Sequence, residues 1–358
     1  MNNDAPTQPA VSLIIPTFNR KDLLKETLDS IVAQTLPHWE TIVVDDGSTD
    51  GSVEALKQCA AEDARIRPMS RTGEAGGAPI CRNQGLAAAT GRYVIYLDSD
   101  DLLGPDALAQ RVAVMDAEPT MDFITFPMEF FRETPGDIGT SVSGASDESD
   151  LDRLLMRDFP WQITCPIWRI EAMNALGGFD PQLPAGQDVE LHIRAIASGM
   201  TYRKDDRRDC YYRMHDNERV GGRFMSPTYV HGMRLLQERI LQTLRGHNQL
   251  TPARQASIAG NFFWLAECWF HLDGDIKRPL EIWSWSRELG VVGWFRYQLI
   301  RMGFRLYRHE RLKRWIRRQI ASSWPAYFRV GRVSHSPTAE IAARSSAADP
   351  SNVREVTT

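Results

Sequence analysis

Tyr93-Val94-Ile95-Tyr96-Leu97-Asp98-Ser99-Asp100 is the stretch that decides the fold, an apolar run that stops abruptly at two carboxylates. A short run with no polar face predicts a strand buried on both sides, as in a parallel sheet. Carboxylates two residues apart at the mouth of such a strand can share one divalent cation. Oxygen donors of this kind suit Mg²⁺ or Mn²⁺, which keep positions open for substrate phosphates. Thr41-Ile42-Val43-Val44 repeats the pattern and ends in Asp45-Asp46-Gly47-Ser48. In an open α/β sheet, ligands bind beyond the carboxyl ends of the strands. Both acidic turns would then line one crevice. Asp-Gly-Ser is also ordinary turn chemistry, so the reading rests on the two acidic ends together.

Outward from these strands, Val11-Ser12-Leu13-Ile14-Ile15, closed by Pro16, predicts a first buried strand. Leu23, Leu24, Leu28, Ile31 and Val32 fall at helical spacing between Arg20 and Ala33. Ser48 or Asp50 is placed to cap a helix carrying Val53 and Leu56. A short strand is expected at Ile66 to Met69, a loop at Gly73 to Gly77 and a helix at Ile80 to Ala89. Further along come a helix at Pro105 to Met115 and a strand at Phe123 to Phe126. Strands alternating with helices imply a mainly parallel, doubly wound α/β sheet. Pro135 to Asp150 lacks periodicity and reads as a surface loop. Gln187 to Ser198 reads as a helix, and Met200 to Arg203 as a strand.

The texture changes near Gly222. Helical periodicity runs through Pro227 to Arg245, Pro252 to Leu272, Pro279 to Leu289 and Val292 to Ile320. Thr251 before Pro252 is an N-cap and first-position pair, and Gly290 is a stop. The expected division is a disordered N-terminus over 1–10, an α/β domain over 11–222, an all-α extension over 223–332 and a disordered tail over 333–358.

The 358 residues carry a net charge of -4, which argues against general nucleic-acid binding. The five cysteines are scattered and odd in number, with no Cys-x-x-Cys pair, so a reducing, cytoplasmic compartment is expected. Met1 to Ala10 lacks the basic and apolar regions of a signal peptide, and no apolar run is long enough for a membrane span. Between 294 and 318, nine Lys and Arg residues from Arg296 to Arg318 face a lone Glu310, interleaved with Trp294, Phe295, Ile300, Phe304, Tyr307, Leu312, Trp315 and Ile316. That composition fits an interfacial helix on an anionic membrane surface, and equally a packed helix with a solvated basic face.

With these segments assembled, the chain resembles a family 2 glycosyltransferase of the GT-A, Rossmann-like fold, over roughly Val11 to Val220. The resemblance is carried by Pro16-Thr17-Phe18-Asn19-Arg20, Asp45-Asp46-Gly47-Ser48, Arg82-Asn83-Gln84-Gly85-Leu86 and Asp98-Ser99-Asp100, which resembles the DXD motif. It continues through Gly177-Gly178-Phe179-Asp180 with Gln187-Asp188, and Tyr212-Arg213-Met214-His215. The resemblance implies an inverting, metal-dependent transfer of a sugar from a nucleotide-diphosphate sugar, a UDP-sugar by expectation, to a hydroxyl of a glycan or lipid-linked acceptor. Bacterial surface polysaccharide or lipopolysaccharide assembly is the implied setting, on the inner face of the membrane.

The same resemblance assigns roles. Asp100 and His215 would hold a divalent cation, Mn²⁺ or Mg²⁺, which supplies a Lewis acid to the departing diphosphate. Pro16, Thr17 and Asn19 would line the base and ribose, Asp46 would accept hydrogen bonds from the base, Asp98 would face the ribose hydroxyls or the metal's second shell, and Ser99 would belong to the nucleotide-sugar site. Arg82 is the expected diphosphate clamp, because a guanidinium matches phosphate geometry. Asp188 is the expected general base and Asp180 its rival. Gln187 departs from the family's usual Glu. Trp161 and Trp168 are read as packing residues. The alternatives are a sugar nucleotidyltransferase, which would want a Gly-rich basic loop after the first strand, and a nucleotide-sugar-binding module without turnover.

Overall fold

The computed structural model describes residues 8–73, 76–138, 141–142, 146–214 and 226–305. His215 lies outside the described residues, as do 306–318 of the basic segment and most of both termini expected to be disordered. The described chain falls into two compact units.

In the first unit, β1 (Val11–Thr17) and β2 (Trp39–Asp45) pair in parallel from Val11 opposite Trp39 to Thr17 opposite Asp45. Leu13, Ile14, Ile15, Ile42, Val43 and Val44 are all buried, so these strands show no polar face, as expected of a sheet covered on both sides. Between them α1 (Lys21–Val32) buries Leu24, Leu28 and Ile31. α2 (Ser52–Glu62) leads to β3 (Ile66–Ser70), parallel to β2. Neither Ser48 nor Asp50 is the N-cap of α2: Gly51, at φ 88°, takes that position, and Asp50 precedes it and accepts the Ser52 amide at 3.0 Å. α3 (Ala78–Ala88) then returns the chain to β4 (Tyr93–Tyr96), on the other side of β1. The chain thus winds away from β1 in both directions, which makes the ends of β1, β2 and β4 a topological switch point.

β5 (Leu102–Leu103), α4 (Ala107–Ala117), β6 (Phe123–Thr125), β7 (Met128–Phe131) and β8 (Ser141–Val142) follow. After α5 (Asp150–Leu155), described with the second unit, come β9 (Pro166–Arg169), α6 (Ile170–Leu176), α7 (Gln187–Ala197), β10 (Tyr202–Lys204) and β11 (Cys210–Arg213). The large sheet has seven strands in the order β10-β6-β9-β4-β1-β2-β3. It is mainly parallel, but β9 is inserted antiparallel between β4 and β6. A second sheet, β5-β11-β7-β8, was not expected from the sequence. Two of its strands have two residues each, too short to show any periodicity, and it exists only through non-local pairing. Trp168 stacks on Phe123 with centroids 4.1 Å apart and Trp161 packs in the same cluster, so both are core residues.

The second unit is helical. It includes Glu148–Asp158, which the sequence reading had placed within the α/β domain. The reason is burial of Leu151, Leu154 and Leu155 from α5, an Asp152–Arg254 ion pair at 2.7 Å, and the Arg157 guanidinium 3.6 Å over the Trp264 ring. α8 (Pro227–Gly246), α9 (Pro252–Asp273), α10 (Lys277–Glu288) and α11 (Trp294–Arg305) complete it. Thr251 caps α9 by accepting the Arg254 amide at 3.3 Å, as its sequence position predicts. No helix among the described residues is long and apolar enough to cross a membrane.

Candidate functional site

The site is built where β1, β2 and β4 end. At β2, Asp45 folds back on its own turn, its Oδ2 accepting the amides of Gly47 at 2.9 Å and Ser48 at 3.0 Å. Asp46 is left for other work. Its carboxylate accepts the Gly77 amide at 2.9 Å and forms an ion pair with Arg71. The Asp46 amide bonds the Thr17 carbonyl at 2.9 Å, and Pro16 lies opposite Val44. Asn19 adopts a left-handed φ of 51° and ties the two turns together. It donates its amide to Ser48 Oγ at 2.8 Å and accepts the Thr49 amide at 2.8 Å. Asn tolerates that backbone region better than most residues. Pro16, Thr17, Asn19 and Asp46 are therefore gathered at one strand end, and the Thr17 hydroxyl is buried with no partner among the described residues.

α3 links this end to the other acidic turn. It lies against β1 closely enough that a Cβ on Gly85 would stand 2.4 Å from Ile14 Cγ2, which is why glycine occupies that position. Its first turn presents Cys81 to Asp46, and burial, then the Asp46 charge, push that thiol up to about 12. One residue later, Arg82 is 4% exposed and donates from Nη2 to Asp98 Oδ1 at 2.6 Å. Its Nε and Nη1 are buried without partners among the described residues. A buried guanidinium with two unmet donors is a site for an additional anion.

Phe179 is the hub beneath Arg82. Its ring meets the Tyr96 ring edge-on at 4.9 Å, and the Arg82 guanidinium lies 5.3 Å from its centroid. The side-chain amide of Asn83 bonds both the amide and the carbonyl of Phe179, each at 2.8 Å. Gly178 makes that clamp possible, because at φ +69° a Cβ there would stand 2.5 Å from Asn83 Oδ1. Arg194 of α7, paired with Glu190, holds the Gly178 carbonyl at 2.7 Å from the other side.

Asp188 is the second residue of α7, behind Gly186 at φ 68°. Burial raises its carboxyl above the ordinary range, the Arg82 charge opposes that rise and the Asp98 charge adds to it. Asp188 thus shares one electrostatic environment with Arg82 and Asp98. A carboxylate with a raised pKa is a better proton acceptor near neutral pH. Asp180 instead closes a turn, accepting the Gln182 amide at 2.9 Å.

Two residues of this site escaped sequence reasoning. Asp101 is fully buried and accepts the Arg213 amide at 3.1 Å and the Thr164 hydroxyl at 3.3 Å. Arg213 in turn reaches the Asp100 carbonyl at 2.9 Å and Glu26 at 2.6 Å. Asp101 therefore anchors β11 to the acidic turn. Its only sequence signal was a third acid directly after Asp98-Ser99-Asp100. Arg71 follows β3, and nothing in the sequence aligned it with Asp46, because that placement depends on the parallel β2–β3 register.

Asp98, Ser99 and Asp100 lie in the turn after β4, while His215 falls outside the described residues. Among the described residues no cluster of three metal-ligating side chains occurs. A divalent ion nevertheless fits the donor set. Burial, then the charges of Asp100 and Asp98, hold Asp101 well above the usual carboxylate range, a field that a cation would relieve. Hard cations that keep water and phosphate ligands need only one or two such carboxylates.

Comparison with known proteins agrees with this architecture. Residues 12–167 match the model of glycosyl transferase family 2. The putative teichuronic acid biosynthesis glycosyltransferase TuaG of Bacillus subtilis is 43% identical over 108 residues, 30% of this chain and 42% of that protein. The poly(ribitol-phosphate) beta-glucosyltransferase of Bacillus spizizenii is 41% identical over 100 residues, 27% of this chain and 16% of that protein. The chain thus spans less than half the length of these relatives. Among solved structures, S. aureus TarS in complex with UDP-GlcNAc superposes with a TM-score of 0.56 at 20% identity, covering 83% of this chain and 91% of that one. At that identity the likeness shows a shared GT-A fold.

Proposed function

We propose, from the match of residues 12–167 to the model of glycosyl transferase family 2, that the chain is an inverting, metal-dependent enzyme of that family using a UDP-sugar. The acceptor is a hydroxyl of a glycan or lipid-linked saccharide, in surface polysaccharide assembly. The observation that carries this reading is α3 with its N-cap Gly77: the Gly77 amide meets Asp46 at the β2 end and Arg82 meets Asp98 at the β4 end, with Asp188 in the field of Arg82. One crevice thereby holds a base-recognition end, a diphosphate end and a proton acceptor. The relatives named for teichuronic acid and poly(ribitol-phosphate) glycosylation support the polymer class. The UDP and UDP-GlcNAc complexes of TarS support the donor class.

In this reading Pro16, Thr17 and Asn19 enclose the base and ribose, and Asp46, held in place by Arg71, accepts from the base. Asp98 and Ser99 meet the ribose. The unmet Nε and Nη1 of Arg82 bind a diphosphate oxygen. Asp100 and His215 would hold a divalent cation, whose chemistry is to neutralise charge developing on the leaving diphosphate. Asp188 takes the acceptor's hydroxyl proton as that oxygen bonds to C1. The C1–O bond to the diphosphate breaks and UDP departs. We place the reaction in the cytoplasm, where the five free thiols would stay reduced.

The test is calorimetric titration of UDP and GDP, with and without Mn²⁺. Metal-dependent binding of UDP is expected. Binding of neither nucleotide under any metal condition would overturn the donor assignment.

A further inference from the structure

α11 does two things at once. Its buried residues Ile300, Gly303 and Phe304 occupy one side, where Phe304 packs on Phe263 with centroids 5.3 Å apart. Tyr297 lies on the same side, stacked on Trp283 at 6.4 Å, and the Trp283 indole donates to the Tyr297 carbonyl at 3.2 Å. The opposite side is apolar too, yet open. Trp294 is 63% exposed, Phe295 77%, Leu299 40% and Met302 56%.

At about 100° per residue, these four fall within an arc of roughly 140°, while Tyr297, Ile300, Gly303 and Phe304 fill the complementary arc. On the same wheel Arg301 lies at one border of the open arc, Arg305 and Gln298 fall within that arc, and Arg296 lies beside Gly303 just past its other edge. Four large apolar side chains exposed side by side on one helix are uncommon on a soluble surface and mark an interaction site.

We propose that this face of α11 docks on an anionic lipid bilayer. Charge decides the occupant. Arg301 and Arg296 lie on either side of the apolar arc and Arg305 within it, and the sequence continues with Arg308, Arg311, Lys313, Arg314, Arg317 and Arg318 against Glu310 alone, in a chain whose net charge is -4. A second copy of the same face would bring like charges together, whereas anionic headgroups complement them. Aromatic and Met side chains between arginines sit naturally at the boundary of headgroups and acyl chains. The packed side, anchored through Phe304 and Tyr297, fixes which face meets the membrane. This inference stands on α11 and does not need the donor reading.

The test is co-sedimentation of the full-length protein with phosphatidylcholine vesicles, with and without phosphatidylglycerol, at low and high salt. Binding that requires phosphatidylglycerol and weakens with salt is expected. The double variant Trp294→Ser, Phe295→Ser should partition about tenfold more weakly or less, with its unfolding midpoint and UDP affinity unchanged. The inference is overturned if the wild-type protein ignores phosphatidylglycerol vesicles at low salt, or if the double variant binds them as well as wild type. It is equally overturned if the face instead drives a concentration-dependent dimer, lost in the variant, without vesicle binding. Vesicle binding and dimerisation are read without nucleotide, so they are separable from failure of UDP binding.

Discussion

The two acidic turns look alike in sequence and are built in opposite ways. After β2, the first acid, Asp45, is taken up by its own turn, and the second, Asp46, is displayed against Arg71 and the α3 N-terminus. After β4, the first acid, Asp98, is paired with Arg82, and the last, Asp101, is buried to hold Arg213 and Thr164. In one turn the structural acid comes first, in the other it comes last. In the proposed function the β2 end serves recognition, and the β4 end, whose Asp98 charge is felt by Asp188, serves chemistry. Adjacent carboxylates of equal chemistry take different roles because burial and partner, rather than residue type, decide what each can do.

The sharpest way to break this division is at the chemical end. Asp188→Asn should lower kcat by about 10²–10⁴-fold while leaving UDP affinity unchanged, as measured by initial rates and calorimetry on one preparation. Normal turnover in this variant would end the general-base assignment and favour Asp180. Asp100→Asn should fall in the same range and also remove the metal dependence of UDP binding.

Stability separates the structural acids next. Asp101→Ala leaves the buried Arg213 amide and Thr164 hydroxyl without an acceptor, so it should cost about 2–3 kcal/mol in urea unfolding. Asp45→Ala opens a turn whose amides can reach water and should cost about 1 kcal/mol. Equal losses would erase the contrast between the turns.

Recognition comes third. Asp46→Asn should weaken UDP binding by about tenfold, the scale of one charge-assisted hydrogen bond, with kcat at saturating donor little changed. A kcat effect as large as that of Asp188→Asn would move Asp46 into the chemistry.

The smallest effect is a shift in pH profile. Asp188 must be ionised to accept a proton, and burial raises its pKa. Activity should therefore be full above that pKa and be lost as pH falls through it, at a pH above the ordinary carboxylate range. The Arg82 charge opposes the rise. Arg82→Gln should move this acid limb to higher pH, in kcat/KM measured across pH. A shift to lower pH would mean that Arg82 does not act on Asp188.

Much of the first unit was legible because β1, β2 and β4 are apolar runs, the latter two leading into acids, and a strand buried on both faces cannot hide that pattern. The helices α8 and α9 were legible through Pro227, Thr251-Pro252 and their periodicity. The antiparallel insertion of β9, the second sheet and the transfer of Glu148–Asp158 to the helical unit were not. Each depends on which distant segment a short element meets, and local periodicity carries no such information. Arg71 and Asp101 were missed for the same reason, since their partners lie across a strand register or on β11.

The sequence by itself determined the chain's α/β class, the two acidic strand ends and the amphipathic helices, because burial patterning and capping act between residues near in sequence. Tertiary structure alone decided which of Asp45, Asp46, Asp98 and Asp101 became scaffold, and which face of α11 was left open. Those outcomes turn on desolvation and charge partners, and both are properties of neighbours in space.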